Sequence, residues 1–163
     1  MLKQVQHDIH YFHTSLNVIK FSTMILSTLS DNDKTRLIRA ARNTAKRAYA
    51  HYSNFRVGAA ILTEKGSLIT GCNVENASYG LTICAERSAI SAAVAKEGAD
   101  MRIRALAVVS ENSNACPPCG ACRQVIFEFG QDAIVIFQGK EGLEEMHISK
   151  LLPKGFIGRK TNK

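Results

Sequence analysis

Apolar residues recur at close to helical spacing in the first clear element of the chain: Leu37, Ala41, Ala45 and Ala48 share a face, with basic residues between them. The run Ser30-Asp31-Asn32-Asp33 just ahead supplies N-cap candidates, so a surface helix packed by one face is predicted to begin there. Tyr52-Ser53-Asn54-Phe55 reads as a loop, and the pattern then changes period. Val57 to Thr63 reads as a short strand, Glu64-Lys65-Gly66 as a turn and Leu68 to Val74 as a second strand, together a hairpin. Asn73 and Glu75 stand at its exit, two apart, so strand geometry would turn both side chains to one side. Ala77 to Ile83 connects to the run Cys84 to Glu97, which is apolar on nearly every side and stops at Gly98; a helix of that kind is expected to be buried. Ile103 to Val109 is an almost continuous apolar strand, as in a sheet covered on both faces. A further helix comes after Pro118 and Gly120, carries Val125 to Phe129 and closes at Gly130, and Ala133 to Phe137 reads as another buried strand. Strand, helix, strand, helix, strand in alternation predict an α/β layered domain with a mixed sheet.

Both later helices begin with a thiol. Cys84 opens the Ala-rich run, and Cys119 follows Pro118 at the start of the next helix, with Cys122 on the same face through its i, i+3 spacing. Brought together, Cys84, Cys119 and Cys122 would hold one metal ion, with Glu86 beside it and not bound to it. Three protein ligands, an open position and a nearby carboxylate describe a catalytic zinc site, because a structural site takes a fourth protein ligand. Cys-x-Glu followed by Pro-Cys-x-x-Cys is the known signature of the zinc-dependent base deaminases. Cys72 lies in a predicted strand and reads as core. Cys116 makes a repeated Cys-x-x-Cys-x-x-Cys that also suits an iron–sulfur cluster or a redox pair, but Pro117 and Pro118 stiffen the backbone between it and Cys119, so it is expected outside the metal shell.

Composition narrows the remaining choices. The chain has 163 residues, 45% of them hydrophobic, which suits one compact core over residues 30–163. Residues 1–29 fit poorly with the pattern of the other elements and are expected to be a poorly ordered extension or a mis-assigned start, with Met24 as an alternative initiator. His7, His10 and His13 recur within this extension. No apolar run approaches the roughly 20 residues that cross a bilayer, so no membrane span is expected. Five cysteines, three of them with metal spacing, point to a reducing, cytoplasmic setting over a disulfide framework. The net charge of +7 would suit a polyanion. Its sources are a helix face (Lys34, Arg36, Arg39, Arg42, Lys46, Arg47) and a tail (Lys154, Arg159, Lys160, Lys163), neither interleaved with aromatics, so a solvated face and a basic tail are expected and a nucleic-acid partner is not.

From about Asp33 to Phe156 the sequence resembles the small cytidine deaminase family, the homotetrameric type. The resemblance is carried by Tyr52-Ser53-x-Phe55-x-Val57-Gly58-Ala59-Ala60, Gly71-Cys72-Asn73-Val74-Glu75-Asn76-Ala77-Ser78-Tyr79, Cys84-Ala85-Glu86-Arg87, Pro118-Cys119-Gly120-Ala121-Cys122-Arg123-Gln124 and Leu151-Leu152-Pro153-x-x-Phe156. It implies a three-layer α-β-α sandwich around a mixed five-stranded sheet, and one Zn2+ per chain on Cys84, Cys119 and Cys122. The implied reaction is hydrolytic deamination of cytidine and deoxycytidine to uridine and deoxyuridine, in pyrimidine salvage, with Glu86 as the proton shuttle. Arg87 would offset thiolate charge. Phe55 would pack on the pyrimidine, the Ala85 backbone would donate to the base carbonyl, and Asn73 with Glu75 would bind the ribose 3′-hydroxyl. Tyr79 and Phe156 would complete the site across a subunit interface of a homotetramer. The basic ending Ile157 to Lys163 departs from the acidic-apolar ending common in the family. Two alternatives stand beside this reading: a deaminase of a larger cytosine-containing substrate such as blasticidin S or nucleic acid, and a non-catalytic metal or redox protein using Cys116, Cys119 and Cys122.

Overall fold

The computed structural model describes residues 29–158. The histidines His7, His10 and His13, the alternative start Met24 and the tail residues Arg159, Lys160 and Lys163 lie outside the described residues. The first helix, α1 (Asp31–Ala45), begins where expected, with the Ser30 hydroxyl accepting from the Asp33 backbone N–H. Leu37, Ala41 and Ala45 form its buried face, and Leu29 is buried with them. The basic face stays at the surface, where Lys34 pairs with Glu145 at 2.7 Å and Arg36 with Asp33 at 3.3 Å.

Five strands come next, in the spatial order β2-β1-β3-β4-β5: β1 (Val57–Thr63), β2 (Leu68–Cys72), β3 (Ile103–Ser110), β4 (Ile134–Gln138) and β5 (Leu143–His147). All seven residues of β1 are buried because the strand is central and covered on both faces. Its alternation divides the core: Ala60 and Leu62 join the cluster under α1, while Val57, Ala59 and Ile61 join the cluster under α2 (Ala85–Glu97) and α3 (Gly120–Phe129). This is a three-layer sandwich, helix on sheet on helices. Two glycines set how closely the layers approach. A Cβ on Gly58 would stand 2.0 Å from the Ala41 carbonyl oxygen of α1, and one on Gly71 would stand 2.3 Å from the Ala89 nitrogen of α2.

Strand directions explain why the thiols converge. β1 is antiparallel to both β2 and β3, so β2 and β3 run the same way and end at one edge of the sheet, with Cys72 opposite Gly58 and Ser110 opposite Val57. The chain leaves that edge from β2 into α2 and from β3 into α3, and α3 is the crossover that makes β4 parallel to β3. Both helix N-termini therefore face the same edge, which is also where β1 begins.

Three differences from the sequence-based elements have physical causes. The second strand ends at Cys72, not Val74; beyond it Val74 makes isolated bridges to Tyr49 and Ile83, so the extended backbone continues with new partners. The helix starting at Cys84 is not buried all round, because Ser91, Ala92 and Ala95 are exposed on its outer side. And β5 carries no sequence signal of its own: Leu143-Glu144-Glu145-Met146-His147 is largely exposed and is a strand by its antiparallel pairing to β4. The short helix α4 (Ile148–Leu151) then anchors the end of the chain through buried Ile148 and Leu151.

Candidate active site

Cys84 is the N-cap of α2 and Cys119 the N-cap of α3, each in extended conformation, and neither side chain caps its own helix. Their sulfurs are left for another partner. Cys122 is at the third position of α3, and N-cap and N3 side chains face one another in the same way as in a capping box. The sulfurs of Cys84, Cys119 and Cys122 all lie within 4.8 Å of one another. Thiolates around one zinc at about 2.3 Å each stand roughly this close, so the donor set fits a zinc ion. Cys116 is not in the group; burial pushes its thiol up to about 12, with the charges of Glu86 and Cys84 adding to the effect, so it stays protonated.

The charge balance favours the metal. Three thiolates on a divalent ion leave a net charge of −1, and each helix N-terminus directs roughly +0.5 of a charge at it. Arg87 supplies more: its Nη2 lies 3.5 Å from the Cys84 sulfur and donates to the Thr82 carbonyl at 3.1 Å. In the metal-free chain Cys84 is lowered to about 5, by a hydrogen bond from the Cys122 thiol and then by Arg87, whereas Cys122, which gives that bond, is raised. Glu86 is buried, 4% exposed, at the first turn of α2. Burial raises its carboxyl above the usual range and the charge on Cys84 raises it further, so it holds a proton more readily than an exposed carboxyl does.

The remaining residues sort into two groups. Asn73, Glu75 and Phe55 come together at the sheet edge. The Asn73 carboxamide bridges the start of β1, accepting from the Val57 N–H at 2.8 Å and donating to the Phe55 carbonyl at 2.9 Å. The Glu75 carboxylate accepts from the Tyr52 N–H at 2.8 Å, the Ser53 N–H at 3.2 Å and the Ser53 hydroxyl. Phe55 is 36% exposed, and the Ala85 N–H, in the first turn of α2, has no carbonyl within its own helix to meet. Tyr79 and Phe156 behave differently, standing 82% and 74% exposed. Cys72, expected in the core, is half-buried at the end of β2.

Three residues with structural work at this edge have no role that the sequence alone assigns. Ser53 bridges Glu75 and Phe55. Arg123 donates to the Pro118 and Leu151 carbonyls at 2.8 and 3.0 Å, and Gln124 holds the Phe156 backbone by accepting its N–H at 3.0 Å and donating to its carbonyl at 2.8 Å. All three stand inside motifs that carry the resemblance; their partners Glu75, Leu151 and Phe156 lie 22, 28 and 32 residues away in sequence, so spacing gave no sign of them.

Residues 31–138 match the family model for the cytidine and deoxycytidylate deaminase zinc-binding region. The chain belongs to this family. A cytidine deaminase of Halalkalibacterium halodurans is 42% identical over 132 residues, which span 80% of this chain and 98% of the relative. The crystal structure of a cytidine deaminase from Burkholderia pseudomallei superposes with a TM-score of 0.68 at 44% identity, covering 75% of this chain and 98% of that one. A blasticidin-S deaminase of Bacillus cereus is 31% identical over 103 residues, 60% of this chain and 74% of the relative. The architecture is that of the cytidine deaminases of known structure, and the three sulfurs, close enough together to fit one metal ion, lie within the matched zinc-binding region.

Proposed function

We propose that this chain hydrolyses cytidine and deoxycytidine to uridine and deoxyuridine, in pyrimidine salvage, using one zinc ion on Cys84, Cys119 and Cys122 and Glu86 as the proton shuttle. The observation that carries the reading is the group of three sulfurs beside the buried Glu86 carboxyl, at the meeting point of two helix N-termini. Zinc, when held there, supplies the Lewis acidity that makes water a nucleophile near neutral pH. Glu86 takes a proton from the attacking water and delivers it to N3 of the base as C4 becomes tetrahedral, then takes the second proton from the new C4 hydroxyl and hands it to the departing amine, so ammonia leaves and the uracil carbonyl remains. Burial of Glu86 keeps bulk water from competing for that proton.

The substrate contacts are built on the sheet edge. The Ala85 N–H donates to the base carbonyl and Phe55 covers the ring. A ribose 3′-hydroxyl donates to Glu75 and accepts from Asn73, and a substrate without it leaves both of those hydrogen bonds unmade. Arg87 holds the Cys84 sulfur and offsets thiolate charge. Tyr79 and Phe156, exposed beside the apolar Leu81, Ile83 and Ile157, suit contact with a second copy, and a homotetramer in which they reach a neighbour's site accounts for that exposure. Ligation through free thiols suits the reducing cytoplasm.

The test is loss of cytidine absorbance in the ultraviolet by purified protein, with Glu86→Ala as control and zinc measured in both. Turnover by the native chain and none by the variant, at one zinc per chain, supports the reading; iron in place of zinc, with a brown colour, would favour the metal or redox alternative. Measuring turnover of blasticidin S alongside decides against the larger substrate if cytidine is consumed far faster.

A further inference from the structure

The loop Tyr52–Arg56 ends at the same sheet edge as the sugar and base contacts, and its geometry is tightly specified. Asn54 has φ 58°, in the left-handed region that Asn tolerates better than most residues, and its N–H donates to the Ala50 carbonyl at 3.1 Å. That reversal brings the Phe55 N–H back onto the Ser53 hydroxyl oxygen at 3.0 Å, and the same hydroxyl donates to Glu75 Oε1. The Phe55 carbonyl is held by Asn73 Nδ2 at 2.9 Å. The peptide groups flanking Phe55 are thus fastened to the residues assigned to the sugar, one directly by Asn73 and the other through Ser53 to Glu75.

The lone pairs of the carboxylate narrow the choice further. Glu75 Oε2 accepts two backbone N–H groups, from Tyr52 and Ser53, and so has no further lone pair for a ligand. Oε1 accepts from the Ser53 hydroxyl and keeps one free. The one lone pair of this carboxylate that a substrate hydroxyl can use is therefore on the oxygen that Ser53 orients. Consistent with three donors converging on it, the Glu75 carboxyl is held below its ordinary value of 4.5, most strongly by the Ser53 hydroxyl.

We infer that Ser53 is a positioning residue for nucleoside binding: its hydroxyl aims Glu75 Oε1 at the sugar and locks Phe55 at a fixed distance from it, so that sugar and base are gripped by one rigid unit. This rests on the reading of Glu75 as the ribose contact. Ser53 touches no reacting atom, and its contribution belongs to substrate affinity and to recognition of the 3′-hydroxyl.

The experiment compares the zinc-loaded native chain with Ser53→Ala, Ser53→Thr and Glu75→Gln, using cytidine and 3′-deoxycytidine. Equilibrium binding of both nucleosides to each variant is also measured by calorimetry in a Glu86→Gln background, which removes turnover from the readout. Ser53→Ala is expected to raise KM for cytidine about tenfold with kcat changed less than about threefold, to weaken the calorimetric affinity in parallel, and to shrink the preference for cytidine over 3′-deoxycytidine, as expected when a hydrogen bond to a charged group is loosened. Ser53→Thr, which keeps the hydroxyl, is expected to restore most of that preference. A serine that merely stabilised the loop would lower the unfolding temperature and leave the 3′-hydroxyl preference unchanged. Glu75→Gln with an altered KM, beside Ser53→Ala with KM and preference both within about twofold of native, overturns the positioning role. Glu75→Gln without effect on either overturns the ribose reading beneath it. Should Ser53→Ala fail to fold, the near-isosteric Ser53→Cys takes its place with the same expected direction, and native preference in that variant counts against the proposal.

Discussion

At the scale of single residues, two acidic groups at this edge are tuned in opposite directions, and each direction has its use. Glu86 is raised by burial, as the proton exchange proposed for it requires; Glu75 is lowered by three hydrogen bonds, as the ionised acceptor proposed for the ribose requires. Glu86→Gln keeps the shape and removes the exchangeable proton. It is expected to retain one zinc per chain and to lose about a thousandfold in kcat, within the range that general acid–base groups supply; a loss under tenfold in steady-state assays with metal analysis would remove Glu86 from the mechanism. For Glu75 the sign is set by its lowered value: its stabilising contribution is present above 4.5, the ordinary value, and is lost as pH falls through the lower folded value. The loop it holds should therefore stay intact from pH 8 down to about pH 5. Carboxyl 13C chemical shifts, assigned with Glu75→Gln, check this, and Ser53→Ala should move the titration upward. Cys116 gives the contrasting prediction. A protonated thiol outside the sulfur group contributes packing alone, so Cys116→Ser is expected to leave zinc stoichiometry unchanged, whereas Cys119→Ala should release the metal; metal analysis of both variants separates the roles.

Among the elements, the contact between β2 and α2 decides how well the site is built, because α2 carries Cys84, Glu86 and Arg87 on one rigid turn. Gly71 is what permits it. A methyl group there would stand 2.3 Å from the Ala89 nitrogen and 2.8 Å from the Ala85 carbonyl oxygen, both backbone atoms that cannot turn aside. Gly71→Ala is expected to push α2 off the sheet, at a cost of about 1–3 kcal/mol in stability, and to move Cys84 relative to Cys119. Calorimetric unfolding with zinc titration checks this; native stability and affinity would show that the helix shifts without strain. This contact also marks the limit of what sequence alone made legible. Ser30 as a cap, thiols at two helix starts and the Cys-x-Glu spacing were readable because each depends on residues a few positions apart. The strand β5, the closeness of Gly71 to α2 and the open side of α2 were not, because they depend on pairing and packing between distant segments. Asn73 is an intermediate case. Its position at the exit of the hairpin was legible, but its bonds to Val57 and Phe55 needed the fold to bring β1 and the end of β2 into register.

At the scale of the whole molecule, the first turn of α3 is tied to more than the metal. Cys119 and Cys122 face the sulfur group, Arg123 joins the Pro118 loop to Leu151 of α4, and Gln124 grips the Phe156 backbone at both its N–H and its carbonyl. The segment carrying exposed Phe156 and Ile157 is therefore fastened to the same turn that supplies two of the three sulfurs. If these side chains meet a second copy, assembly and metal loading share one element, and each should stabilise the other by linkage. Two hydrogen bonds at about 0.5–1.5 kcal/mol each put the grip at roughly 1–3 kcal/mol per chain, which is about tenfold in a dissociation constant for every 1.4 kcal/mol. Gln124→Ala is thus expected to keep its zinc while sedimentation velocity shows the oligomer dissociating at about tenfold higher protein concentration than the native chain. Stripping zinc with a chelator should weaken the oligomer as well and lower the unfolding temperature, because the turn that holds Phe156 loses its anchor on the other side. A metal-free chain that stays assembled to the same dilution as the loaded one would show that the tail is held independently of the metal helix.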